Sequence, residues 1–122
     1  MGKSECCKSI LVVEDDDDIR NAIVDLLESE GYATEFAING KDALDRLHEM
    51  SKPCLVLLDM MMPIMNGREF LDIVMKDNRL APIPVLIVSA IADKTNTEGS
   101  VGFLKKPIDI DVVLNVVSQY CN

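Results

Sequence analysis

A single α/β domain built on a parallel sheet is predicted by two features of this 122-residue chain. Short apolar runs alternate with helix-period segments, the pattern of βαβ units. Each of four such runs also stops on residues able to do chemistry. Ile10-Leu11-Val12-Val13 ends on Glu14-Asp15, Leu55-Val56-Leu57-Leu58 on Asp59, Val85-Leu86-Ile87-Val88 on Ser89-Ala90, and Val101 to Leu104 on Lys105-Lys106-Pro107. Sites of open α/β sheets lie along the carboxyl edge of the strands. Three acids, a hydroxyl and a lysine are therefore expected at one rim, an arrangement that suits a divalent metal and a phosphoryl group.

The elements follow in order. A first strand is expected over 9–13 and a helix over about 17–30, with Ile19, Ile23, Leu26 and Leu27 on one face. Gly31 should stop that helix, as glycine does at helix C-termini. The second strand is Tyr32–Phe36. The helix after Asn39-Gly40 turns Ala43, Leu44 and Leu47 inward. The third strand is Cys54–Leu58, followed by a helix from about Gly67 to Lys76 with Phe70, Leu71 and Val74 inward. Pro82 and Pro84 break the chain before a fourth strand at 84–88. A fifth strand at 101–104 and a helix over about 109–120 complete the pattern. The stretch from Ile91 to Ser100 has no convincing apolar face and is the weakest element, although a parallel crossover usually needs a helix there.

Bulk properties bound the function. The length suits one domain with a full core, and no apolar run approaches the roughly 20 residues that span a bilayer. The polar start, Met1 to Lys8, reads as a flexible extension without a secretory signal, so a cytoplasmic location is expected. A net charge of −9 argues against nucleic acid or anionic membrane as a direct partner. The four cysteines lack metal or redox spacing and are expected to be reduced thiols without a catalytic role.

Four motifs, in order at strand ends, carry a family resemblance: Ile10 to Asp16, Leu57-Leu58-Asp59-x-x-Met62-Pro63-x-Met65-Asn66-Gly67, Val88-Ser89-Ala90, and Phe103-Leu104-Lys105-Lys106-Pro107. Gly31-Tyr32 and Ala37-x-Asn39-Gly40 fit alongside them. The chain resembles a receiver domain of the two-component response regulators over essentially its whole length, 1–122. The resemblance implies a flavodoxin-like, doubly wound, five-stranded parallel sheet of order 2-1-3-4-5. Its fourth helix would be shortened or disordered here.

The resemblance further makes Asp59 the phosphoacceptor, taking a phosphoryl group from a sensor histidine kinase or a histidine phosphotransfer protein and signalling to an unidentified downstream protein. The domain would be no enzyme beyond its own phosphorylation and dephosphorylation. Glu14, Asp15, Asp59 and the backbone carbonyl of Met61 would hold Mg²⁺, with Mn²⁺ a possible substitute. Ser89 and Lys106 would contact phosphoryl oxygens, Ser89 and Phe103 would form the switch pair, and Lys106-Pro107 would be a cis bond. Glu14 stands where the family more often has Asp, which adds one methylene of reach.

Plainer roles suit other residues. Asp17 and Asp18 are expected to dress the first helix's N-terminus, one of them as its cap. His48 should be solvated, and Met60, Met61, Met62 and Met65 should pack around a turn. A flavin carrier is disfavoured by the acids after the first strand, which would repel a phosphate. An aspartyl phosphatase would commonly carry a second Asp where Met61 stands. A degenerate receiver acting as a phosphorylation-independent interaction module is the alternative function.

Overall fold

The computed structural model describes residues 9–90 and 97–121. Five parallel strands form one sheet of order β2-β1-β3-β4-β5, as the sequence predicts. They are β1 (Ser9–Val13), β2 (Ala33–Ala37), β3 (Leu55–Leu58), β4 (Val85–Ser89) and β5 (Gly102–Lys105). The helices among the described residues are α1 (Asp17–Ser29), α2 (Gly40–Glu49), α3 (Gly67–Lys76) and α4 (Ile110–Cys121). Residues 91–96, which hold most of the stretch expected to lack a fourth crossover helix, lie outside the described residues, as do 1–8. Residues 97–100 form a turn in which the Ser100 N–H donates to the Thr97 carbonyl at 3.0 Å.

Side-chain alternation sorts the central strands onto two cores, because successive residues of a strand face opposite sides. Leu11, Val13, Val56, Leu58, Val85 and Ile87 pack with Ala43, Leu47, Phe70, Leu71 and Val74 of α2 and α3. Ile10, Val12, Leu55, Leu57, Leu86 and Val88 pack with Ile23 and Leu27 of α1 and Val113 and Val117 of α4. Both faces of β3 and β4 are thus buried, which is why those strands read as unbroken apolar runs.

Local chemistry fixes the turns. Gly31 adopts φ +91°, and α1 closes through bonds from the Gly31 N–H to Glu28 O and from the Tyr32 N–H to Leu27 O, each 3.0 Å. That pair is a Schellman motif, and its left-handed residue favours glycine. The N-terminus of α3 is held by a reciprocal capping box between Asn66 and Glu69. A Cβ on Gly67 would lie 2.7 Å from the Asp59 carbonyl oxygen, so only glycine lets α3 start this close to β3.

Two expectations are corrected. The cap of α1 is Asp16, whose carboxylate accepts from the Ile19 N–H at 3.0 Å, rather than Asp17 or Asp18. Ile19, Ile23, Leu26 and Leu27 share a face as expected, Ile19 and Leu26 half-buried at its margin, and Arg20 is buried beside them. Cys54 and Cys121 are joined by a disulfide, with Cα atoms 5.3 Å apart, inside the usual disulfide range. β3 begins and α4 ends at the same edge of the sheet, so the fold brings together two thiols separated by 67 residues in sequence. Sequence spacing carries no trace of that proximity. Cys6 and Cys7 lie outside the described residues.

Candidate functional site

The register of the sheet assembles the site. Val13 pairs with Leu58 across β1 and β3, and Leu58 pairs with Ile87 across β3 and β4. The next residues, Glu14 and Asp59, are therefore neighbours at the carboxyl edge, where the Asp59 N–H donates to Val13 O at 3.0 Å. On the other side Ser89 pairs with Lys105. The Lys106 N–H donates to Ser89 O at 2.9 Å, placing the lysine at the same rim.

Glu14, Asp59 and Ser89 are buried, only 3%, 5% and 1% exposed, whereas Asp15 is exposed. Carboxylate oxygens of Glu14, Asp15 and Asp59 lie within 4.8 Å of one another. Lys106 Nζ sits 2.6 Å from Glu14 Oε1 and 3.7 Å from Asp59 Oδ1. The Met61 N–H donates to Asp59 Oδ1 at 3.4 Å. The longer glutamate thus uses its reach to meet the lysine. Burial, and then the negative Glu14, push the Asp59 carboxyl up from 3.8 to about 6, against the opposing pull of Lys106 and the Met61 N–H. Negative charge at Asp59 is under-compensated by the protein alone.

The loop after Asp59 is exposed and apolar. Met61 and Ile64 are 60% and 78% exposed, while Met62 packs inward. Only part of the methionine run is therefore packing. Ile64 takes φ +69°, in a three-residue turn closed by the Met65 N–H on Pro63 O at 2.7 Å. The Lys106-Pro107 bond is cis. Phe103 is half-buried against the core shared with α2 and α3, and Ala90 is exposed beside Ser89. Between α1 and the turn after β5, an apolar pocket of about 370 Å³ opens beside Lys106, lined in part by Ile19, Leu26, Pro107 and Ile108. His48 is exposed, as expected, with Nδ1 2.7 Å from Arg79 Nη2.

The sequence model of the response regulator receiver domain matches residues 10–118. This chain belongs to that family. The polar-differentiation response regulator DivK of Brucella anthropi is 33% identical over an alignment of 118 positions that covers 93% of this chain and 95% of that protein. A CheY-like receiver domain protein from Methanospirillum hungatei superposes with a TM-score of 0.84 at 26% identity, covering 93% of each chain. The receiver domain of sensor histidine kinase PA1611 from Pseudomonas aeruginosa shares the fold, with a TM-score of 0.85 at 20% identity over 93% of this chain and 97% of that one. That protein's structure holds a magnesium ion in its active site cleft.

Receiver domains are two-component signalling modules that bind Mg²⁺ at an acidic pocket and interact with histidine kinases and effectors. The residues singled out from sequence converge in this one: Glu14, Asp15, Asp59, Ser89 and Lys106 share the rim. Three carboxylates that supply only oxygen donors fit a hard divalent cation. Arg20 was missed. Its signal was an arginine at the i, i+3, i+7 spacing of Arg20, Ile23 and Leu27. No helix among the described residues is long and apolar enough to cross a membrane.

Proposed function

We propose that this domain is a phosphorylation-controlled switch in which Asp59 accepts a phosphoryl group from phosphohistidine on a sensor kinase or phosphotransfer protein. An Asp59 oxygen attacks phosphorus, the P–N bond breaks, and the imidazole leaves with the bonding pair. What supports the reading is one constellation: a buried, strand-end carboxylate flanked by Glu14, Asp15 and Lys106. Carboxylates are weak nucleophiles, so the protein's contribution is positioning and charge neutralisation.

Glu14, Asp15, Asp59 and the Met61 carbonyl would hold Mg²⁺, which supplies positive charge to the transferring phosphoryl oxygens. Lys106 lies between Glu14 and Asp59, and a small swing of its ammonium would bring it to a phosphoryl oxygen on Asp59. The Ser89 hydroxyl would bond another, and Phe103 would register that movement on the face that meets the downstream protein. The apolar pocket between α1 and the turn after β5 gives a protein donor a surface beside the acceptor. A cytoplasmic location fits this role. Cys54 and Cys121 lie at the opposite end of β3 from the acceptor.

Incubation with Mg²⁺ and acetyl phosphate should add one phosphoryl group to the wild type and none to Asp59→Asn, read by intact mass. Chelation should abolish the labelling without changing the circular dichroism spectrum. Equal labelling of both proteins would overturn the assignment of Asp59. No labelling of either, by this donor or by a phosphorylated kinase, would favour a phosphorylation-independent interaction module.

A further inference from the structure

Arg20 is a charge on a core-facing stripe, and its surroundings do not explain it as a stabilising ion pair. Its side chain is 9% exposed, yet among the described residues its only carboxylate partner within bonding distance is Asp17, 78% exposed and 2.6 Å away. A pair with so exposed a partner contributes little, while burying a guanidinium is costly unless its donors are satisfied. Among the described residues Nε has no hydrogen-bond partner. The guanidinium instead lies over the Phe36 ring, 4.9 Å from its centroid. An apolar side chain would fill this place at less cost.

The remaining contact is distinctive: Nη1 donates to the Glu14 carbonyl at 3.2 Å. The Glu14 N–H is already held by Ala37 O at 3.0 Å, so both peptide groups flanking its Cα are fixed. Arg20 therefore grips the β1–α1 turn at two points, Glu14 O and the Asp17 carboxylate, which bracket Asp15 and Asp16. Between those points Asp16 is committed to capping α1, and only Asp15 is left to turn toward Asp59. A planar fork can span two such points, whereas a lysine ammonium is a single point of charge.

We propose that Arg20 is a positioning residue for the cation site, holding the β1–α1 turn so that Glu14 and Asp15 converge on Asp59. This rests on the reading of those acids as the Mg²⁺ site. The alternative, a purely electrostatic or structural arginine, predicts the opposite sign or no change. Removing a positive charge near a cation site tightens cation binding by Coulomb's law, whereas loosening the groups that orient metal ligands weakens it by about 10-fold or more.

Mg²⁺ titrations by calorimetry at fixed ionic strength, on the full chain, distinguish these. Arg20→Met should weaken Mg²⁺ binding by about 10-fold. Arg20→Lys, which keeps the charge and loses the fork, should fall between Arg20→Met and the wild type. A folded Arg20→Met protein with unchanged or tighter Mg²⁺ binding would overturn the proposal, even if its melting temperature had dropped. Should Arg20→Met not fold, Arg20→Lys decides: wild-type affinity in it overturns the proposal, weaker binding supports it. A wild type that binds no Mg²⁺ overturns the cation-site reading and the positioning role with it.

Discussion

At the carboxyl edge of the sheet, buried Glu14 and Asp59 share one lysine next to buried Ser89, and the loop beside them holds Ile64 at φ +69°. At the opposite edge, Cys54 is bonded to Cys121, and Gly31 takes a similar left-handed φ with no side chain to strain. The same five strands end in both places. One edge concentrates like charge and backbone strain where a reaction is proposed; the other carries caps and a covalent link. Removing features of the first should stabilise the domain, and removing features of the second should destabilise it.

The largest effect belongs to the link. Closing a loop of 67 residues removes unfolded-state entropy worth about 4 kcal/mol at most in the chain-entropy picture. Urea unfolding of the oxidised chain against Cys121→Ser should show a loss approaching that figure. Unchanged stability would remove the contrast between the edges.

Next is the acceptor. The folded carboxyl of Asp59 binds its proton more tightly than the unfolded one, so this group favours folding below about pH 4. That contribution is lost as pH rises toward about 6. Without divalent metal at pH 7.5, Asp59→Asn should therefore be more stable than wild type by about 2–3 kcal/mol. The gain should shrink below pH 6 and be nearly gone near pH 4, by denaturant titration across that range. Saturating Mg²⁺ should narrow it at neutral pH, since the cation binds the folded wild type more tightly.

The smallest effects compare the two left-handed residues. Ile64→Gly relieves a β-branched residue at positive φ and should gain about 0.5–1 kcal/mol. Gly31→Ala installs the same strain at the quiet edge, where there is open space for the methyl group, and should lose about 1 kcal/mol. Thermal melts giving both substitutions the same sign would show that φ does not decide the matter.

Most of this fold is written locally. Apolar runs mark β1, β3 and β4 because both of their faces are buried, and Gly31 and Asn66-Gly67 mark helix ends through chemistry confined to a few residues. The acids, Ser89 and Lys106 were legible because each follows directly on a strand. Three features were not. Choosing Asp16 over Asp17 as the cap depends on where the chain leaves β1 toward Glu14, a one-residue matter that a run of acids hides. Arg20 draws no notice in the sequence, because its place is set by Phe36 on the neighbouring strand. Cys54 and Cys121 meet only through the direction in which α4 returns across the sheet.

That bridge also divides the polypeptide into a ring and a tail. Asp59, Ser89 and Lys106 belong to the ring closed by Cys54 and Cys121, whereas Glu14, Asp15 and Arg20 lie on the tail before it. A single backbone cut between 55 and 120 in the oxidised chain therefore yields one covalent molecule that still carries every part of the rim. A cut between Arg20 and Cys54 instead yields two pieces, parting the two acids of β1 from the acceptor. Limited proteolysis resolved on gels with and without reductant would read out which of these has occurred.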